Sequence, residues 1–314
     1  MTAILETQQS GEPAPAGRTT AADGTPRRPS LSPSRAADFK TCPLLYRFRT
    51  IDRLPEKKSR AAVRGTLVHA VLEKLYDLPQ AERTPDAARE LVGPAWEELR
   101  QEPGTAELFE VPEGAGEGAQ SPAGESLDAW LASAGALVEK YFTLEDPTHI
   151  QPAGREELVE VTLPDGLLLR GYVDRLDVAP TGAIRVVDYK TGAMPREAFE
   201  GKALFQMKFY ALVLWRTRGV IAAQLKLLYL ADGDALVYSP DEAELVRFER
   251  TLQAVWAAIE RAVATGDFRA SKSRLCNWCD HQSLCPAFGG TPPPFPAEAA
   301  AAAGWRTTLP LAAV

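Results

Sequence analysis

No run of apolar residues in this chain approaches the roughly 18 to 20 that a bilayer-spanning helix needs. The N-terminus lacks a basic stretch followed by a continuous apolar one, so no secretory signal is expected and a cytoplasmic chain is the default. A GxxxxGK[ST] phosphate loop is missing, which excludes a P-loop motor. Histidine is scarce, with only His69, His149 and His281. Positive charge is not in excess: 35 Lys and Arg against 42 Asp and Glu leave a net charge of −7. That balance argues against a protein that coats nucleic acid indiscriminately, but it leaves room for a site built from carboxylates.

What is present is ordinary globular composition, 45% apolar and 25% charged over 314 residues. The length suits one large domain or two modest ones. Residues 1–30 have almost no large apolar side chains and are expected to form a disordered tail. Residues 102–126 read as a long loop, and residues 289–314 as a Pro- and Ala-rich C-terminal tail. The domain proper is therefore expected over 31–288. Its one concentration of positive charge lies in 46–64, with Arg47, Arg49, Arg53, Lys57, Lys58, Arg60 and Arg64 against Asp52 and Glu56. Charge alone fits a solvated loop as well as a phosphate track.

The periodicity predicts a short helix after Ser32, with Pro33 in its first turn, and an amphipathic helix over 65–77. Further helices are expected at about 86–100 and 126–143. The period then changes to two, predicting strands at 156–163, 167–178 and 183–190 joined by Pro164-Asp165-Gly166 and Pro180-Thr181-Gly182. A buried helix at 196–218, strands at 223–230 and 235–238, and a helix from Ser239-Pro240-Asp241-Glu242 to about Gly266 complete the order. Helices on either side of a central sheet make an α/β or α+β core.

The second turn fixes a register. With Gly182 in the left-handed position of a three-residue loop, Ala179 faces Ala183 and Asp174 lies across from Asp188. Lys190 projects from the same side as Asp188. Two carboxylates this close repel unless a cation lies between them, and carboxylate oxygens with water are what Mg²⁺ or Mn²⁺ takes. A surface hairpin with an Asp–Lys pair is the bland alternative. His69 stands at the border of its helix's apolar stripe, suited to reach a cleft or to sit partly buried. Glu73, one turn on, is a supporting carboxylate or a solvated acid. Gln206 and Tyr210, four apart, put two polar tips on one side of an apolar helix, and these need partners.

Cys276, Cys279 and Cys285 follow a C-x₂-C-x₅-C spacing, and the remaining cysteine, Cys42, lies 234 positions before Cys276. In a cytoplasm this points to metal or cluster ligation rather than disulfides. Zinc sites favour two close pairs, and the three-plus-one arrangement suits a cluster held by four thiolates better, with zinc the alternative. Closing a loop of that length costs roughly 5 kcal/mol in chain entropy, so such a link would fasten the two ends of the fold.

Five blocks in this order resemble the RecB-family exonucleases of the PD-(D/E)XK nucleases, the iron–sulfur branch that includes AddB nuclease domains and CRISPR-associated exonucleases. They are LSPSRAADFKTCPLLYRFR, GTLVHAVLE, GYVDRLD, DYKTG with QMKFYALVLW, and CNWCDHQSLC, spread over residues 31–286. The resemblance implies a mixed central sheet flanked by helices. It makes His69, Asp174, Asp188 and the Tyr189 carbonyl ligands of Mg²⁺ or Mn²⁺, and Lys190 the catalytic lysine. It places Gln206 and Tyr210 at the active site or DNA strand, and a [4Fe-4S] cluster on Cys42, Cys276, Cys279 and Cys285. Arg47, Arg49, Lys57, Lys58, Arg60 and Arg64 become candidate DNA contacts. It implies a DNA exonuclease acting on single-stranded ends in repair or recombination, with any unwinding supplied by a separate helicase. The alternative is a non-catalytic DNA-binding iron–sulfur module of a helicase–nuclease complex. Val173 stands where the superfamily's proline would precede Asp174.

Overall fold

The computed structural model describes residues 28–110, 125–194 and 200–309. Residues 1–27 of the expected N-terminal tail, 111–124 of the expected long loop and 310–314 lie outside the described residues. Strand β1 is Ser30–Leu31. Ser32 then caps α1 (Pro33–Thr41), its hydroxyl accepting from the Arg35 N–H, with Pro33 where no donor is needed. Helix α2 (Pro43–Tyr46) continues as a π-helical turn over Arg47–Ile51. Ser59 caps α3 (Arg60–Leu75), which buries Val63, Leu67, Val68, Val71, Leu72 and Leu75. The single helix expected at 86–100 is two, α4 (Pro85–Glu90) and α5 (Val92–Leu99), divided at Leu91. Helix α6 (Leu127–Leu144) is capped by Ser126.

Three strands follow, β2 (Gly154–Thr162), β3 (Leu168–Val178) and β4 (Ile184–Lys190). Helix α7 (Glu200–Arg218) leads to β5 (Gln224–Tyr229) and β6 (Asp234–Tyr238). Helix α8 (Glu242–Thr265) is capped by Asp241 rather than by the Ser239 of the expected motif. The Asp241 carboxylate accepts from the Glu244 N–H at 2.7 Å, so Pro240 precedes the helix instead of opening it. Gly266, at φ 70°, closes it in the left-handed region. Helix α9 is Ala297–Ala302. Around it, Phe295 stacks on Phe268 and Trp305 lies against Trp256, within the segment read from composition as a tail.

The strands form one mixed sheet. β2 runs antiparallel along one edge of β3. β1, parallel, and β4, antiparallel, share the other edge at its two ends. β4 pairs in parallel with β5 across the α7 crossover, and β6 closes antiparallel. One apolar core lies between the sheet and α7 and α8, including Leu176, Val186, Met207, Phe209, Leu225 and Leu252. A second, between the sheet and α3, α5 and α6, includes Leu67, Trp96, Trp130, Val187 and Leu228. Among the described residues no helix is long and apolar enough to cross a membrane.

Candidate functional site

The hairpin register is the one the Pro180-Thr181-Gly182 turn demands. Gly182 has φ 83°, the Ala179 N–H donates to the Ala183 carbonyl at 2.9 Å, and Arg175 pairs with Val187. The backbone ladder between β3 and β4 ends there. One rung on, the Tyr189 N–H donates to the Asp174 carboxylate at 2.7 Å instead of to a carbonyl of β3. Because β1 occupies the same edge only at Leu168 and Leu169, β3 is left open between them, and Asp174 sits at that opening.

Helix α3 brings His69 to it. Gly65 lies beside the strand end, where a Cβ would make ordinary contact with the Thr191 hydroxyl at 3.4 Å. One turn later, His69 Nε2 lies 2.9 Å from the Tyr189 carbonyl oxygen. Its Nδ1 is 3.5 Å from Asp174 Oδ2 and 3.8 Å from Glu156 Oε1. His69, Glu156 and Asp174 each offer a ligand atom within 4.8 Å of the others. Two carboxylates and an imidazole form a donor set that fits a divalent cation.

Glu156 was not among the residues picked from sequence. The signal was available: Leu163 pairs with Leu167 around the Pro164-Asp165-Gly166 turn, and counting back from that turn puts Glu156 opposite Asp174. Its backbone is unusual, at φ 43°. In regular strands Arg155 and Glu157 would share a face, as would Val173 and Arg175. Here Arg155 bonds Asp77 and the Glu73 carbonyl beside α3, whereas Glu157 pairs with Arg218 of α7. Val173 packs in the α7 core, whereas Arg175 reaches Tyr76 and Tyr141 on the opposite side. Both strands turn over at the Glu156–Asp174 rung. A left-handed glutamate costs about 1–2 kcal/mol, and it is kept where two acids meet a histidine.

Asp188 belongs to an adjoining cluster rather than to that trio. Lys190 Nζ is 2.6 Å from Asp188 Oδ2. Gln206 of α7 bridges the pair, its Oε1 accepting from Lys190 at 2.9 Å and its Nε2 donating to Asp188 Oδ1 at 2.8 Å. The same Nε2 lies 3.0 Å from the Tyr210 hydroxyl, which accepts from it. Asp188 is almost wholly buried, and its Oδ2 meets the Lys190 ammonium, which supplies the positive charge that a buried carboxylate needs. Burial, and then the charge of Asp188, push the Asp174 pKa up to about 7 against the pull of His69 and the Tyr189 N–H. Burial opposes charge on His69, but the carboxylates of Glu156, Asp174 and Asp188 outweigh it and raise its pKa to about 9.

Beneath the site, Arg175 is fully buried. It pairs with Glu145 at 2.7 Å and Asp177 at 3.1 Å, and donates to the hydroxyls of Tyr76 (2.9 Å), Tyr141 (3.2 Å) and Tyr189 (2.9 Å). The Tyr189 ring is thereby fixed under the backbone that joins Asp188 to Lys190.

The basic run is mostly spoken for. Arg47 is buried against Asp52 and the Pro293 carbonyl, and Arg49 pairs with Asp38 and Glu56. Lys58 holds Glu102 and Thr105, while Arg60 holds the carbonyls of Leu108 and Glu125 and lies over the Phe109 ring. Arg64 donates to Ser133. Lys57 keeps an exposed side chain. Glu73 gives Arg155 its backbone carbonyl, and its carboxylate makes no hydrogen bond or ion pair with His69 among the described residues.

Cys42, Cys276, Cys279 and Cys285 are all free thiols lining one cavity with Leu44, Phe48 and Phe288. Burial raises the Cys279 pKa, and the other three thiolate charges add to it. The Ser271 and Ser273 N–H groups point at Cys42 Sγ and Cys276 Sγ, each at 3.4 Å.

Comparison with other proteins assigns the mixed sheet and its flanking helices to a family. The family model of the PD-(D/E)XK nuclease superfamily matches residues 30–286, and the chain belongs to that superfamily. The Gene 69 protein of Mycobacterium phage D29 is 27% identical over 277 residues, 83% of this chain and 97% of the phage protein. The Gene 69 protein of Mycobacterium phage L5 is 30% identical over 129 residues, 40% of this chain and 41% of that one. A solved structure from Eubacterium rectale described as a "Putative exonuclease" aligns with TM-score 0.52 at 13% identity, covering 80% of this chain and 87% of that one. At that identity the likeness is one of fold.

Proposed function

We propose that this chain is a Mg²⁺- or Mn²⁺-dependent DNA exonuclease of the RecB-like branch, acting on single-stranded ends in repair or recombination. The observation that carries the reading is the meeting of His69, Glu156 and Asp174 beside the Asp188–Lys190–Gln206 cluster. His69, Asp174 and Glu156 would hold the ion, with Asp188 and the Tyr189 carbonyl alongside. A divalent ion supplies Lewis acidity toward a phosphate oxygen and makes a bound water more acidic. Lys190, pinned between Asp188 and Gln206, presents an ammonium to the phosphate or the attacking water. Gln206 fixes that ammonium by accepting from it, and turns its own N–H groups on Asp188 and Tyr210. The Tyr210 hydroxyl, already an acceptor, keeps its proton for a phosphate oxygen.

A [4Fe-4S] cluster on the four cysteines is part of the proposal. Tetrahedral zinc with Zn–S near 2.3 Å would draw the sulfurs to about 3.8 Å from one another. Among the described residues no three of these thiols come within 4.8 Å. A four-iron cluster spreads its thiolates, since each binds a different iron, and N–H groups aimed at sulfur favour thiolate. Its role is to fasten residues 31–288 into one domain.

The test is a time course on 5′- and 3′-labelled linear DNA, single- and double-stranded, and on circular DNA, with Mg²⁺, Mn²⁺ or chelator. Ladder products from linear single strands, none from circles, and loss of cleavage in Lys190→Ala and Asp188→Ala with fold intact are expected. Cleavage retained in both variants overturns the site assignment. DNA binding without any metal-dependent cleavage would favour the accessory-module alternative, and cut circles an endonuclease.

A further inference from the structure

Leu158 and Tyr172 face each other across β2 and β3, and both are exposed, by 39% and 48%. Single exposed apolar residues need no explanation, but this pair adjoins the site. Tyr172 lies two residues before Asp174 and Leu158 two after Glu156, about 6.7 Å along each strand. On the far side the pair is bounded by Glu160 and Arg170, whose charges stand 3.9 Å apart. The chain has little choice about where the ring goes. A Cβ at Gly171 would come within 2.8 Å of the Tyr210 ring, so that side of β3 is filled, and Tyr172 leaves on the opposite one.

The patch is too small for a folded protein, whose interfaces cover on the order of 800 Å² per partner. It suits one flat, apolar, planar group. We propose that Tyr172, backed by Leu158, is the stacking platform for the nucleobase next to the phosphate held at His69, Glu156 and Asp174. The inference rests on the nuclease reading above and names how its substrate is gripped. Every base has an apolar face, so the platform takes any sequence. Bases of an intact duplex are already stacked on their neighbours, so it selects single strands and frayed ends. It also supplies grip where cations are few, since most of the basic run is bonded within the protein.

The test uses the full chain with Tyr172→Ala and Tyr172→Phe, on single strands that are intact or carry one abasic nucleotide 5′ or 3′ to the scissile bond. Tyr172→Ala should raise KM about 5- to 100-fold with kcat little changed, and Tyr172→Phe should resemble wild type. With the abasic nucleotide on the stacked side, wild type and Tyr172→Ala should become equal, an equality that a folding defect would not produce. Unchanged KM in Tyr172→Ala, or the same loss on abasic strands, overturns the platform. Absence of cleavage by wild type would sink the nuclease reading instead. Fluorescence anisotropy in chelator then decides the platform alone: tighter wild-type binding to intact strands only supports it, and equal affinities overturn it.

Discussion

Proton release on metal binding is the most direct probe of the His69, Glu156 and Asp174 geometry. Without a cation, the carboxylates around His69 hold its pKa at about 9, and Asp174 is held at about 7 by burial and Asp188. Both values are raised, so both groups carry protons that a divalent ion must displace. Between pH 9 and pH 7 the imidazolium alone should weaken apparent affinity about 50-fold, or about 2.3 kcal/mol. Below pH 7 Asp174 adds a second tenfold loss per unit. Calorimetric titration with Mn²⁺ in two buffers of different ionisation heat should count about one proton released per ion at pH 8 and about one and a half at pH 7. Glu156→Gln should lower both counts, because it removes the carboxylate that does most to keep the ring protonated. Affinity that stays flat from pH 7 to 9 with no proton released would refute the arrangement.

Arg175→Met should destabilise the fold by about 3–5 kcal/mol, since Glu145 and Asp177 lose a buried partner. At this chain length that is a fall of roughly 5–8 °C in Tm by calorimetry or circular dichroism. Gly171→Ala should cost about 1–3 kcal/mol and displace Tyr210, lowering kcat on single-stranded DNA, because its methyl would press on that ring. Cys285→Ser should remove the visible absorbance of the anaerobically purified protein and lower Tm, while wild type keeps about four irons per chain by iron assay.

Much of the site was legible because turns fix register. Gly182 supplied a left-handed residue, and from it the register as far as Arg175 and Val187 could be counted; beyond that rung the strands part, and Asp174 and Asp188 fall in adjoining clusters rather than in one pair. Glu156 escaped because it sits among Glu157 and Glu160 in a strand that reads as a plain amphipathic edge, and its φ of 43° has no local sequence cue. The Arg175 network was invisible for another reason: its partners are scattered from Tyr76 to Tyr189 and meet only through packing. The cations of 46–64 read as well for a solvated loop as for a phosphate track, yet apart from Asp52 and Glu56 the partners that hold them, Asp38, Glu102, Ser133 and several carbonyls, lie outside the run. The division at Leu91 and the shift of the cap to Asp241 are errors of one turn, where neighbouring residues offered equivalent signals.

Seven residues separate Glu156 from Leu163 and seven separate Leu167 from Asp174, while five lie from Asp174 to Ala179 and five from Ala183 to Asp188. β3 thus acts as a shared ruler read from both ends. Evolution or an engineer is free to lengthen Pro164–Gly166 or Pro180–Gly182, where an insertion leaves the counts untouched. A single residue added inside any of the three ribs would slide one acid past its mate, so tolerance to insertion should alternate sharply along this stretch of chain.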